Sequence, residues 1–259
     1  MVTANGGSNT VSVLLGTGDG NFSPAGDDAT GSYPSAVALA DLDGDGVLDV
    51  ATSNWVGHSI SILLGLGGGA FAPRIDLPTS DDPRSMALAD LDGDGHPDLV
   101  VTYATSGRLS VRLGDGHGGF GTEHTYATGT IPFGIAIQDL NADTRPDVVV
   151  ADYWTHSVSV FLGHGDGTLD PRLVLPTPYF PRAVAIGDFD GDERLDIAVA
   201  TNSTLNQVAT LRGNGSRTFG SARMFHAGIT PTAIAVGDLD GDGRAIWSPP
   251  TAARARWRC

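Results

Sequence analysis

Residues 41–52 read DLDGDGVLDVAT, from Asp41 to Thr52, and the nine-residue pattern that opens this stretch returns four times. DLDGDGHPD starts at Asp90, DLNADTRPD at Asp139, DFDGDERLD at Asp188 and DLDGDGRAI at Asp238, at steps of 49, 49, 49 and 50 residues. A second element keeps the same phase. GTGDGNF starts at Gly16, GLGGGAF at Gly65, GDGHGGF at Gly114, GHGDGTL at Gly163 and GNGSRTF at Gly213, again at steps of 49, 49, 49 and 50. Two unrelated motifs sharing one period mark the duplication of a structural unit.

Within one unit the pattern predicts four strands, here lettered A to D. Strand A, Ser35–Ala40, follows a proline and ends on the Asp loop. Strand B leaves the loop as Leu48–Thr52, and strand C, Ser59–Leu64, ends at the Gly-rich turn. Strand D runs from about Phe71 to Leu77. Alternation and β-branched residues support B and C. Strand A carries alanine at one place in every unit: Ala38, Ala87, Ala136, Ala185 and Ala235. Small residues suit the crowded innermost strand of a radial array. Four short strands per repeat of this length predict an all-β chain and a β-propeller of four-stranded blades. A β-solenoid competes, but its repeat is usually shorter.

The chain opens inside a strand B, because Met1–Asn5 aligns with Val50–Asn54. It then holds C and D of that unit, four whole units, and a last strand A at Thr232–Gly237 with its loop. Joining that last A to the first B, C and D would close a five-blade ring and remove open sheet edges. The alternative is a piece of a longer propeller. After Arg244 the composition shifts abruptly to Arg, Trp and Pro. The expected domain is therefore 1–244, with an aberrant tail at 245–259 outside the fold.

Only 17% of the 259 residues are charged and 36 are glycine, which suits an all-β chain with many turns. The formal net charge of −15 argues against nucleic-acid backbones and for cations. The one cysteine, Cys259, permits no internal disulfide. No apolar run approaches the roughly 18 residues of a membrane helix, so no membrane insertion is expected. Met1–Asn5 lack the regions of a signal peptide, so a secreted protein would need a signal outside this chain.

In the first Asp loop, carboxylates stand at positions 1, 3, 5 and 9, as Asp41, Asp43, Asp45 and Asp49, and Val47 at position 7 offers its backbone carbonyl. A hard Ca²⁺ ion takes six to eight oxygens at about 2.3–2.6 Å, and this spacing wraps a short loop around one ion. Asp-Gly turn chemistry explains Asp45-Gly46, but not aspartate at four fixed places in repeat after repeat. An EF-hand would need Glu at position 12, where this chain has Thr52, Val101, Val150 and Val199 inside strands. Zinc would need a Cys/His cluster, which is missing.

The loops are unequal. The second has Asp90, Asp92, Asp94 and Asp98, with His96 at position 7. The third has Asp139, Asn141, Asp143 and Asp147, with Arg145 at position 7, and is expected to bind more weakly. The fourth has Asp188, Asp190, Asp192 and Asp196, with Arg194 at position 7 and Glu193 in place of a glycine. The fifth has Asp238, Asp240 and Asp242, but Ile246 replaces the last ligand. About four Ca²⁺ sites and a defective fifth are expected. The aspartates at these ligand positions make up 18 of the 30 acidic residues, so the acidity is mostly a property of the loops.

The DxDGDGxxD loops and GxGxGxF turns together resemble the FG-GAP and VCBS-type repeat family, the calcium-binding blades of the integrin α-subunit propeller and of many bacterial secreted proteins. The resemblance covers residues 1–244 and implies a propeller with calcium loops. Integrin propellers have seven blades, so the five counted here leave the blade number open. Family members include adhesion modules, lectins and domains attached to enzymes.

Other chemistry is sparse. The Gly-rich turns are followed by strands, whereas phosphate loops need a helix N-terminus. No nucleophile carries a GxSxG-type motif, and no catalytic residue is assigned. Topology places the Asp loops and Gly turns on one face and the B–C and D–A loops on the other. The second face collects Asn54, Trp55, His58, Tyr103, Tyr153, Trp154, His156 and Tyr179, with Arg108, Asn202, Tyr33, Asp82 and Phe180. Such a mixture suits a sugar or peptide surface, and equally suits aromatic packing over blade ends. The expectation is an extracellular, monomeric, calcium-binding recognition or adhesion module for a glycan or protein. The alternatives are the propeller of a polysaccharide lyase or hydrolase, for which a catalytic pair of carboxylates is the mark to look for, and a purely structural fragment. The chain has no lysine to serve as a base.

Overall fold

The computed structural model describes residues 1–202 and 206–237 in full, and the backbone of 246–248. The chain forms two compact units, Met1–Ala127 with His164–Thr168, and Thr128–Gly163 with the chain from Leu169 onward. Every element named below is a β-strand.

In the first unit, β1 (Val2–Asn5), β2 (Thr10–Gly16) and β3 (Phe22–Ala29) make a three-stranded antiparallel sheet. Next come β4 (Pro34–Ala40), β5 (Asp49–Asn54) and β6 (Ser59–Leu63). The small hairpin β7 (Gly65–Gly67) and β8 (Ala70–Phe71) follows, then β9 (Ile75–Pro78). The sheet order is β4-β5-β6-β9. The next sheet runs β10 (Pro83–Ala89), β11 (Asp98–Tyr103), β12 (Arg108–Arg112) and β13 (His124–Ala127). Strands β1 and β10 both pack on β4.

The second unit repeats the plan. One sheet is β14 (Pro132–Gln138), β15 (Asp147–Asp152), β16 (Ser157–Phe161) and β17 (Leu173–Pro176). The next is β18 (Pro181–Gly187), β19 (Asp196–Thr201), β20 (Gln207–Leu211) and β21 (Arg223–His226). A two-stranded sheet pairs β22 (Ala235–Gly237) with β23 (Ile246–Ser248). Strands β14 and β22 pack on β18. Successive four-stranded meanders stacked through their first strands are the β-propeller arrangement.

The local sequence explains these elements. Strands β4, β10, β14 and β18 each begin at a proline, and the ladder shifts register just after it, at Pro34/Ala36, Pro83/Ser85, Pro132/Ile135 and Pro181/Ala183. Proline has no N–H to give the ladder, so a bulge there costs little. Every residue of β5, β11, β15 and β19 is buried. A strand covered on both faces needs no alternation, which is why Val148-Val149-Val150-Ala151 reads as one apolar run. The core lies between sheets: Ala51, Ile60 and Ile62 meet Met86, Leu99 and Val101 in the first unit, and Val149, Val158 and Val160 meet Val184, Ile197 and Val199 in the second.

Three expectations need adjustment. In the second sheet strand D starts at Ile75 rather than Phe71, because Phe71 pairs with Gly65 in the small hairpin. Among the described residues β22 takes β23 as its partner and β1-β2-β3 is a three-stranded sheet, so the strand pairing expected of a five-blade closure is not among the described pairs. The register Gly237↔Ile246 matches Ala40↔Asp49, so Ile246–Ser248 stands where a strand B belongs. Closing that short loop costs less entropy than recruiting a strand more than two hundred residues away. Of the 245–259 tail, Ile246–Ser248 therefore forms a strand, and the rest lies outside the described residues.

Candidate functional site

Each described Asp loop starts with an aspartate that folds the loop around itself. Asp41 accepts the Gly44 N–H on Oδ1 at 2.8 Å and the Gly46 N–H on Oδ2 at 2.9 Å, and Asp45 accepts the Val47 N–H at 2.7 Å. In the second loop Asp90 accepts from Gly93 at 2.7 Å and Gly95 at 2.9 Å, and Asp94 from His96 at 2.8 Å. This wrapping needs left-handed backbone at positions 4 and 6, where Gly44 has φ 76° and Gly46 φ 83°. Glycine adopts it without a Cβ penalty. The third loop puts Ala142 (φ 59°) and Thr144 (φ 71°) there, and the fourth Glu193 (φ 64°). Each such residue costs roughly 1–2 kcal/mol.

The wrapped loops gather carboxylates. Asp41, Asp43 and Asp45 each bring an oxygen within 4.8 Å of the other two, and Asp90, Asp92 and Asp94 do the same. An all-oxygen set with three negative charges is the donor chemistry a hard cation such as Ca²⁺ takes. The third loop carries one carboxylate fewer, and Asn141 turns its Nδ2 to Asp143 Oδ2 at 3.1 Å, while the Arg145 backbone N–H donates to Asp143 at 3.0 Å as the position 7 N–H does in the first two loops. In the fourth loop the converging set is Asp188, Asp190 and Asp196. There Arg212 pairs with Asp190 at 2.6 Å and with Asp192 at 2.8 Å, while the Arg194 N–H goes to Asp192 at 3.1 Å. Sequence reading missed Arg212; its signal is a charge where other repeats have Leu15, Leu64, Leu113 and Leu162. Asp238, Asp240 and Asp242 of the fifth loop lie outside the described residues.

The aspartate at position 9 has a second task. Asp49 is fully buried; it accepts the Leu42 N–H at 2.7 Å and the Gly65 N–H at 2.6 Å. Asp98 holds Leu91 and Gly114 in the same way at 2.7 and 2.8 Å, Asp147 holds Leu140 and Gly163 at 2.9 and 2.9 Å, and Asp196 holds Phe189 and Gly213 at 3.1 and 2.8 Å. The residue thus ties the Asp loop to the Gly-rich turn of its own sheet. A carboxylate has about four acceptor directions, which leaves two for a cation. Burial pushes the carboxyls of Asp49, Asp98 and Asp196 upward, and that of Asp147 up to about 6, with neighbouring loop aspartates adding to the effect. A bound cation would relieve that repulsion. In the fourth loop the Arg212 hydrogen bond instead holds Asp192 low.

Adjacent repeats also meet here. The Gly118 N–H, from the following repeat's turn, donates to the Leu42 carbonyl at 2.8 Å, and the Gly167 N–H to Leu91 at 3.2 Å. Gly118 adopts φ 80°, which glycine takes without a Cβ penalty, and a Cβ there would also stand 2.8 Å from the Leu64 Cδ2 methyl and make that side chain shift.

The opposite loops are built by a different device. The B–C turn holds a left-handed residue at one repeat position: Asn9, His58, Gly107, His156 and Asn206. Asn9 Oδ1 accepts the Tyr33 N–H at 2.8 Å, Asn206 Oδ1 the Thr230 N–H at 3.2 Å, and His156 Nδ1 the Phe180 N–H at 3.0 Å. His156 therefore anchors a D–A loop. Asn54 and Tyr103, expected on this surface, are fully buried. Asn54 donates to Ser59 and Ser61, and the Tyr103 hydroxyl to Glu123 at 2.6 Å. Trp55 is committed too: its Nε1–H reaches Asp82 at 3.0 Å, Arg84 lies 4.9 Å over its ring, and Tyr33 meets it edge-on at 5.5 Å. His58 is exposed. In the second unit Tyr153 lies 5.2 Å from Phe133, 5.5 Å from Trp154 and 5.1 Å from Phe180, and Tyr179 lies 5.8 Å from His156. Trp154 and Tyr179 remain 54% exposed, so they are the rings of this cluster available to a ligand.

Comparison with characterised proteins finds no significant match. Solved structures show the fold. A protein from Lactobacillus plantarum is 16% identical with TM-score 0.69, over 90% of this chain and 69% of that one. A protein of unknown function from Desulfotomaculum acetoxidans is 16% identical with TM-score 0.67, over 88% of this chain and 66% of that one. The periplasmic gluconolactonase of Pseudomonas aeruginosa is 18% identical with TM-score 0.65, over 85% of this chain and 64% of that one. The chain thus spans about two thirds of the length of these structures. Matches to the FG-GAP-like repeat cover residues 1–52, 53–101, 90–150, 139–199 and 188–245 in succession. With its motifs, sheets and loops all following that repeat, the chain belongs to the FG-GAP-like repeat family.

Proposed function

We propose that the chain is a calcium-stabilised extracellular recognition module that acts as a monomer. The observation that carries the reading is the convergence of Asp41, Asp43 and Asp45, and of Asp90, Asp92 and Asp94, into oxygen-only clusters. Asp49 and Asp98 extend each cluster inward to a buried tie. The following repeat hydrogen-bonds directly to the same loops through Gly118 and Gly167. Calcium at a loop therefore supports two repeats at once, and its binding energy adds to fold stability. Weak sites of the extracellular type work at about 10⁻⁴–10⁻³ M, concentrations found outside cells.

The ligand is a glycan or protein that meets the exposed rings of the B–C and D–A loops, Trp154 and Tyr179 foremost. These loops lie at the opposite strand ends from the Asp loops, so calcium supports the ligand surface without touching it. Thermal melts in calcium and in EDTA test the first half. Equal melting temperatures would refute it. A glycan and protein-ligand screen of wild type, Trp154→Ala and Tyr179→Ala tests the second. Unchanged binding by folded variants would remove these rings from the site.

A further inference from the structure

The fourth Asp loop looks complete in sequence, yet its surroundings differ from those of the first two. Arg212 directly precedes the Gly-rich turn, where Leu15, Leu64, Leu113 and Leu162 stand in the other repeats. Leu64 lies under Gly118 of the following repeat's turn. Arg212 instead reaches the Asp loop of its own sheet. Its Nε lies 2.6 Å from Asp190 Oδ2 and its terminal nitrogen 2.8 Å from Asp192 Oδ2.

The guanidinium therefore bridges positions 3 and 5, which in the first two loops turn inward to meet position 1. A second observation agrees. The converging carboxylates of the fourth loop are Asp188, Asp190 and Asp196, and Asp192 is not among them. Asp192 has its Oδ1 on the Arg194 N–H and its Oδ2 on Arg212. Among the described residues, no arginine forms an ion pair with Asp41, Asp43, Asp45, Asp90, Asp92 or Asp94.

We infer that Arg212 is a tethered counter-cation that takes the place of metal in the fourth loop. A fixed guanidinium neutralises one charge, occupies two of the ligand oxygens, and repels an incoming divalent ion. Its tether keeps it close even when displaced, because the next residue's N–H, that of Gly213, is bound to Asp196 at 2.8 Å. The fourth loop then stays assembled when calcium is removed, and does not load at concentrations that fill the first two. This inference rests on the calcium reading of the first two loops.

The test is calcium titration by calorimetry on wild type, Arg212→Leu, Asp190→Asn and Asp92→Asn, with circular dichroism to confirm folding. Wild type and Asp190→Asn should bind the same number of ions in the high-affinity phase, and Asp92→Asn one fewer. Arg212→Leu, which restores the residue of the other repeats, should gain one ion in that phase. It should also melt lower than wild type in EDTA and recover in calcium. Loss of one high-affinity ion in Asp190→Asn, or no gain in Arg212→Leu, overturns the inference. If Arg212→Leu fails to fold, Arg212→Gln serves the same comparison. Wild type that binds no calcium at all would instead sink the underlying calcium reading.

Discussion

Replacing Asp49 separates the two tasks of the position 9 carboxylate. In Asp49→Ala the Leu42 and Gly65 N–H groups both lose their acceptor in a buried setting. A buried donor left without a partner costs about 1–3 kcal/mol, so two of them cost about 2–6 kcal/mol. Removing the carboxylate also removes a buried charge that desolvation already disfavours, so the net loss lies in the lower half of that range. Asp49→Asn keeps one oxygen and should lose about 1–3 kcal/mol, one orphaned donor's worth. Asp43→Ala is the control. Asp43 accepts only a weak 3.3 Å bond from the Asp45 N–H, so the cost without metal should be within about 1 kcal/mol. The measurement is urea unfolding followed by circular dichroism, in EDTA and again in millimolar calcium. The order in EDTA should be Asp49→Ala, then Asp49→Asn, then Asp43→Ala, from least to most stable. In calcium, Asp43→Ala should also fall behind wild type, because the stabilisation by metal is lost. If Asp49→Ala and Asp43→Ala unfold together in EDTA, Asp49 is only a metal ligand and the structural tie is refuted.

Other outcomes follow from the same geometry. Asp152 is fully buried with Oδ1 unpartnered among the described residues, and burial raises its carboxyl. With a folded value above the unfolded one, its protonated form favours the fold below the unfolded value, and that contribution is lost as pH rises through the folded value. Asp152→Asn, which copies Asn54 at the same repeat position, should flatten that dependence and add about 1–3 kcal/mol at pH 7 in urea unfolding. His156→Asn should keep wild-type stability, since Asn9 and Asn206 make the same bond, whereas His156→Ala should lose about 0.5–1.5 kcal/mol. Gly118→Ala places a Cβ against Leu64 and forces an alanine into φ 80°, so its melting temperature should drop and the Leu42 amide carbonyl should exchange partners with water; an unchanged melt would show that the turn does not bear on the neighbouring loop.

The repeat, the four-strand order and the Asp loops were legible because they are local. Ligand spacing and left-handed glycines are set within nine residues, and two motifs at a common period mark the unit without any knowledge of contacts. What decided the rest was the neighbour across the sheet or in the next repeat. Nothing near Asp49 in the chain announces that Gly65 will bind it, nor that Asn54 and Tyr103 will be sealed inside while Trp154 stays open. The alternation expected of strand B fails because both of its faces are covered, a condition created by adjacent sheets. Arg212 stands 20 residues from the aspartate it bridges through its terminal nitrogen, and only the sheet brings the two together. Periodicity reports what each segment needs. The tertiary structure settles which partner supplies it, since burial and charge balance are properties of the assembled surroundings.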